Sequence, residues 1–144
     1  MGTQLTGGCL CGALRFRIEG KLGPIGHCHC GTCQKAQGVA FATTARVSRD
    51  AFRWTTDETF LREYESTPGK QRSFCARCGS KLFAAWSDQD QLILRLGSLD
   101  EDPYTRPVIH IWTEERADWF TISDQLPQWP TNVPPNQSDT ERRS

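Results

Sequence analysis

The sequence carries no net charge: seventeen Lys and Arg balance seventeen Asp and Glu over 144 residues. Without an excess of either sign there is no overall field to draw a phosphate backbone or an anionic lipid surface. No basic stretch interleaved with aromatics is present, which argues against nucleic acid as a partner. Long apolar runs are also missing, so no segment is expected to span a bilayer. Residues Met1–Thr6 lack a basic segment followed by an apolar one, and a cytoplasmic protein with reduced thiols is expected. Gly2 and Thr6 fit the short N-myristoylation pattern, a match that arises easily by chance. Helical periodicity is scarce, and there is no internal repeat. The length suits one domain with a real core.

What the chain does have is cysteine, seven in all. Three fall within six positions, Cys28, Cys30 and Cys33, and the others form two close pairs, Cys9 with Cys11 and Cys75 with Cys78. Cys28 and Cys30 are too close for an unstrained disulfide, and an odd total leaves a thiol over in any closed disulfide framework. Thiolates on turning loops can instead converge on one soft ion. Tetrahedral sulfur coordination points to zinc, with iron–sulfur clusters as the competing use. Four ligands close a structural site and three leave a position open, so seven thiols suggest one site of each kind. Spacing alone leaves the division open. Cys30 and Cys33 could join Cys75 and Cys78 as a zinc ribbon, leaving Cys9, Cys11 and Cys28 together.

Between the cysteines the pattern is that of short strands. Ala13–Glu19 alternates apolar with charged residues, setting Leu14, Phe16 and Ile18 toward a core. Gly20–Pro24 should turn the chain, and the next short strand should pair back as a hairpin that brings Cys9/Cys11 and Cys28/Cys30 to one end. Gln34–Gln37 reads as one helical turn stopped by Gly38, and Val39–Val47 and Phe60–Glu65 read as strands. Thr67–Lys70 is a turn, and Cys75–Gly79 has the form of a zinc knuckle whose glycine takes positive φ. Leu82–Trp86 and Leu92–Leu96 form a second hairpin, and Arg106–Trp112 a proline-initiated edge strand. These strands argue for an all-β domain of small antiparallel sheets pinned by zinc. Residues 131–144, with Val133 as the only large apolar side chain, are expected to form a flexible polar tail behind a domain of residues 1–130.

The stretches Gly8-Cys9-Leu10-Cys11-Gly12, Cys28-His29-Cys30-Gly31-Thr32-Cys33 and Phe74-Cys75-Ala76-Arg77-Cys78-Gly79 resemble the glutathione-dependent formaldehyde-activating enzyme family, also called the GFA or CENP-V domain family. His110-Ile111-Trp112, Asp118-Trp119-Phe120 and Leu126-Pro127 carry the likeness further, so that it covers roughly residues 4 to 130. The resemblance implies an Mss4-like β-tent. It implies two zinc ions, a structural one on Cys9, Cys11, Cys75 and Cys78 and a catalytic one on Cys28, Cys30 and Cys33. It also implies carbon–sulfur lyase activity, forming or cleaving S-hydroxymethylglutathione from glutathione and formaldehyde or acting on a related small thiol adduct. The competing expectation is a non-catalytic zinc module that binds a protein or a small thiol.

Zinc with three thiolates is a weak Lewis acid, so its open position suits an incoming thiol better than an activated water. Around that centre His29 is either a proton donor or ligand, or a solvent-facing spacer. His27 is expected to be structural or exposed, and His110 a satisfied histidine packed beside Trp112. Gln34 and Lys35 could meet a glutathione carboxylate, though a charged surface turn explains Lys35 equally well. Arg46, Arg49 and Arg116 read as solvated charges. Trp54, Trp86, Trp112, Trp119, Phe120 and Trp129 read as core, with one or two of the late ones free to wall a pocket.

Overall fold

In a computed structural model describing residues 4–133, the chain runs β1 (Gln4–Gly8), β2 (Arg15–Glu19), β3 (Ile25–Cys28), α1 (Gly31–Gln37), β4 (Ala42–Ser48), β5 (Phe52–Trp54), β6 (Leu61–Thr67), β7 (Lys70–Cys75), β8 (Lys81–Trp86), β9 (Gln91–Arg95) and β10 (Pro107–Ile111). The fold is all-β, with α1 the one α-helix among the described residues. Contacts divide it into two units, residues 4–23 with 45–105 and residues 24–44 with 106–133. Gly2 of the expected N-terminal pattern and most of the expected tail, Pro134–Ser144, lie outside the described residues.

In the first unit β2 is the middle strand of a sheet ordered β1-β2-β5, antiparallel throughout. Its alternation buries Phe16 and Ile18, as the sequence pattern requires. Phe16 stacks on Phe52 at 4.9 Å and meets Trp54 edge-on at 6.4 Å. Each such buried side chain stabilises the fold by roughly 1.5–3 kcal/mol. The same unit contains the antiparallel run β9-β8-β7-β6, whose tight β6–β7 turn has Gly69 at its tip. One core joins them, with Leu14, Phe16, Val47, Leu82 and Leu94 around the buried Cys9 and Cys75.

The expected pairing of Ala13–Glu19 with the following strand is not what forms. β2 pairs instead with β1, whose five residues include two glycines and one large apolar side chain, Leu5. A strand edge needs backbone partners whatever their side chains, so this neighbour carried little signal in its residue types. The consequence is that Cys9 and Cys11 sit in the β1–β2 connection. Arg46, read as a solvated charge, is also buried on β4, with its guanidinium donating to Gln89 Oε1.

In the second unit β3 pairs with β10, and this pair is parallel. On the other side of β10 runs the segment Pro127–Thr131, tied by His110 N–H to Pro127 O, Trp129 N–H to His110 O and Trp112 N–H to Thr131 O. The proline-initiated strand therefore has no second regular strand to serve, consistent with its missing donor at position 107. A smaller core gathers Cys28, Cys30, Cys33, Ala42, Ile109 and Ile111, with Trp112 and Trp129 packed against it. Val133, at the start of the expected tail, is buried in it too. The exposed exception among the tryptophans is Trp119.

Candidate metal centres

The cysteine thiols gather into two groups. In the first unit the Sγ atoms of Cys9, Cys11, Cys75 and Cys78 all lie within 4.8 Å of one another. In the second the Sγ atoms of Cys28, Cys30 and Cys33 do the same, and among the described residues no fourth donor joins them. None of the seven cysteines forms a disulfide.

Each group is built by local backbone. Cys9 turns the β1–β2 connection, with its N–H donating to Leu14 O at 3.0 Å and its sulfur accepting the Leu14 N–H at 3.3 Å. Cys75 ends β7, and its sulfur accepts the Arg77 N–H at 3.4 Å while Gly79 N–H closes the turn on Cys75 O. Gly79 takes φ +79°, the left-handed value the knuckle needs. Ser80, which sequence reasoning passed over, ties the two turns together. Its Oγ accepts the Leu10 N–H at 2.9 Å and lies 3.2 Å from Cys78 Sγ. That hydroxyl lowers the Cys78 thiol to about 5, the thiolate form a cation requires.

The sulfur spacings suit a tetrahedral ion. Cys9 and Cys11 Sγ are 3.6 Å apart and Cys11 and Cys75 Sγ 3.9 Å. A tetrahedral shell with metal–sulfur bonds near 2.3 Å has edges of about 3.8 Å. The four-thiol group could hold such an ion with little rearrangement.

The three-thiol group grows from a strand end running into a helix. Cys28 closes β3, Cys30 is the N-cap of α1, and Cys33 lies in its first turn. The Cys30 sulfur accepts the Cys33 N–H at 3.3 Å, and the helix stops at Gly38 in the left-handed region with φ +65°. All three are buried, and the Cys28 thiol is held well above its ordinary value by hydrogen bonding to Cys30 and Cys33, with burial adding to the effect. A Cys28 thiol so held keeps its proton unless a cation replaces it, which makes ion binding and proton release at that sulfur one event.

A second chain segment clasps this turn. Glu115 Oε1 accepts the Gly31 N–H at 2.7 Å, and the Gln34 amide donates to His29 O at 2.7 Å and to Glu115 O at 2.8 Å. Gln34 is thus committed to holding the loop, while Lys35 is exposed. Trp112, at φ +59°, bends the chain into the turn Thr113–Glu115 that delivers the carboxylate. We expect Glu115→Ala to weaken metal binding at the three-thiol group about tenfold, as removal of supporting hydrogen bonds does elsewhere. Glu115→Gln, which keeps an acceptor oxygen, should retain most of the affinity. Competition with a chromophoric chelator measures both.

Of the two readings of His29, the solvent-facing one does not hold. His29 and His110 are almost wholly buried, and His29 Nε2 lies 2.8 Å from His110 Nδ1. His110 Nε2 in turn lies 2.9 Å from Asp124 Oδ2, so His110 is satisfied as expected, though through partners the sequence pattern did not name. His27 is half-buried, with Nδ1 2.9 Å from Thr43 Oγ1. Burial lowers both His27 and His29 to about 4, the neighbouring His110 adding to it, so both rings are neutral near pH 7.

With this geometry in hand, comparison with known proteins is decisive on ancestry. The model of the family described as glutathione-dependent formaldehyde-activating enzyme matches residues 4–115. The chain belongs to this family. Among curated relatives, a Halomonas elongata protein named, provisionally, a glutathione-dependent formaldehyde-activating enzyme is 29% identical over 131 residues, covering 84% of this chain and 82% of that one. An uncharacterized lyase of Schizosaccharomyces pombe is 27% identical over 88 residues, covering 59% of this chain and 60% of its own. Among solved structures, a Rhodobacter sphaeroides protein shares the fold with a TM-score of 0.57 at 19% identity, over 67% of this chain and 89% of that one. Both cysteine pairs and the triple lie inside the matched family span. No helix among the described residues is long and apolar enough to cross a membrane.

Proposed function

We propose that this family member is a zinc-dependent carbon–sulfur lyase that forms or cleaves S-hydroxymethylglutathione or a closely related small thiol adduct. The observation that carries the reading is the group of three buried thiols, which no fourth donor joins among the described residues. In the same reading the four-thiol group holds a second, structural zinc, and Cys28, Cys30 and Cys33 hold the catalytic one. The names of the two curated relatives, one for formaldehyde activation and one for a lyase, point the same way. With no disulfide among its cysteines, the chain suits a reducing compartment such as the cytoplasm.

Cys28, Cys30 and Cys33 would hold the zinc ion, and the ion would supply a soft Lewis-acid centre at which an incoming thiol is favoured as thiolate. The protein's part is positional. Cys28, Cys30 and Cys33 are set by a strand end and a helix cap, and Glu115 and Gln34 fix the turn between them. In the forward direction the sulfur of glutathione bonds to the carbon of formaldehyde, and the carbonyl oxygen becomes a hydroxyl by taking the proton that the thiol gave up. Cleavage reverses both changes. Holding sulfur and carbonyl carbon together replaces a bimolecular encounter by an intramolecular one, the main source of acceleration open to such a site.

Cobalt substitution tests the assignment. We expect two metal ions per chain and a charge-transfer spectrum in which one of the two responds to glutathione. A single closed ion with no response to thiol would favour a non-catalytic module and overturn the lyase reading.

A further inference from the structure

A cleft of about 260 Å³ in the first unit is lined by residues of β5 and of the antiparallel run β9-β8-β7-β6, and no cysteine of either thiol group takes part in it. Its wall is aromatic. Phe83 on β8 meets Phe52 at 5.3 Å and Trp54 at 6.1 Å, and Phe52 and Trp54 stand edge to face at 5.0 Å. Trp54 and Phe83 are only half-buried and both border the cleft, so a further ring can pack against them.

Polar groups give the cleft a direction. Ser73, paired with Phe83 across β7 and β8, is 2% exposed, and among the described residues its hydroxyl has no hydrogen-bond partner. A buried hydroxyl in that condition calls for one. Toward the β8–β9 turn, Arg49 donates from Nε to Gln89 O at 3.1 Å and from Nη2 to Trp86 O at 3.3 Å, while Nη1 makes no hydrogen bond among the described residues. A guanidinium fixed in this way is preorganised for a carboxylate. Glu63, paired with Ser73 across β6 and β7, repels an anion from the opposite end. Phe83 and Trp86 lie three residues apart on β8, about 10 Å at the rise of a strand. That separation suits one ring with a polar group at each end, and sites for larger, drug-sized ligands begin at about 300 Å³.

We infer that this cleft binds a small aromatic carboxylate, with its ring against Trp54 and Phe83, its carboxylate on Arg49 and a ring hydroxyl on Ser73. The site is separate from the thiol chemistry and does not rest on the lyase reading. Arg49 selects an acid over an amine. Ser73 selects a hydroxylated ring over a plain one.

Calorimetric titration of the zinc-loaded full chain tests this with three probes: 4-hydroxyphenylacetate, phenylacetate and tyramine, which carries an ammonium group in place of the carboxylate. The hydroxylated acid should bind saturably at one site per chain, about fivefold tighter than phenylacetate, and tyramine should not bind. Arg49→Gln should weaken both acids about tenfold, the loss of a charge-assisted hydrogen bond. Ser73→Ala should lower the hydroxylated acid to the level of phenylacetate and leave phenylacetate itself unchanged, a pattern that a general packing defect does not produce. This second variant decides the matter even if Arg49→Gln does not fold. Absence of saturable binding to the parent, tyramine binding as tightly as the acid, or an unaltered preference for the hydroxylated acid in Ser73→Ala would overturn the inference.

Discussion

Replacing Cys75 by serine should cost the protein one metal ion and lower its midpoint of thermal unfolding by at least ~10 °C. Cys75 is fully buried, lies in the larger core and approaches Cys11 Sγ at 3.9 Å, so it belongs to both the apolar and the sulfur networks of the first unit. Structural zinc bound by thiolates is worth on the order of 10–16 kcal/mol of apparent binding energy, most of which serves folding. Serine keeps the size of the side chain and discards the soft anionic donor. If a third of that energy is lost, about 3–5 kcal/mol, a domain of this length melts roughly 4 °C lower per kcal/mol. Metal analysis of the purified variant and a calorimetric scan check both halves. Two ions per chain with an unchanged midpoint would show that the four-thiol group is not a structural metal site.

Cys33→Ser should act on a different property. This thiol is fully buried in the first turn of α1, beside Cys28 and Cys30, and the reading above makes it a ligand of the catalytic zinc. Turnover of S-hydroxymethylglutathione, followed by the release of free thiol, is expected to fall at least ~1000-fold, a loss of roughly 4 kcal/mol in transition-state stabilisation. Metal content should drop from two ions to one, with the four-thiol group still loaded, because the two groups share no residue. Full activity with full zinc content would remove Cys33 from the site.

The local features were legible in the residues. Phe16 and Ile18 point inward because a strand repeats every second residue, and that period is written in their alternation with charge, while Leu14, buried as expected, lies in the bend just before the strand. Gly79 takes positive φ and Gly38 ends α1, each for want of a side chain. The helix itself is longer than the single turn expected from Gln34–Gln37, because Cys30 supplies a cap through sulfur, a role its residue type rarely plays. Less legible was β1, whose glycines conceal a strand, and the burial of Arg46, whose charge suggested solvent. The supporting residues Ser80, Glu115 and Asp124 were missed altogether. Each is a common polar residue, and each acquires its role only from a partner placed by folding: Leu10 for Ser80, Gly31 for Glu115, His110 for Asp124.

By itself, then, the order of residues determined that thiols would cluster, since Cys28, Cys30 and Cys33 or Cys75 and Cys78 are confined to one turn by the covalent chain. It also determined the family and the all-β class. Only the tertiary structure decided that Cys9 and Cys11 meet a pair 64 positions further on, that β3 takes β10 as a parallel neighbour, and that the ring at 110 lies between a carboxylate at 124 and a ring at 29. The reason is physical: neighbours in sequence are held by bonds and short-range sterics, whereas distant pairings are chosen by which burial of surface repays the entropy of closing the long loops between them.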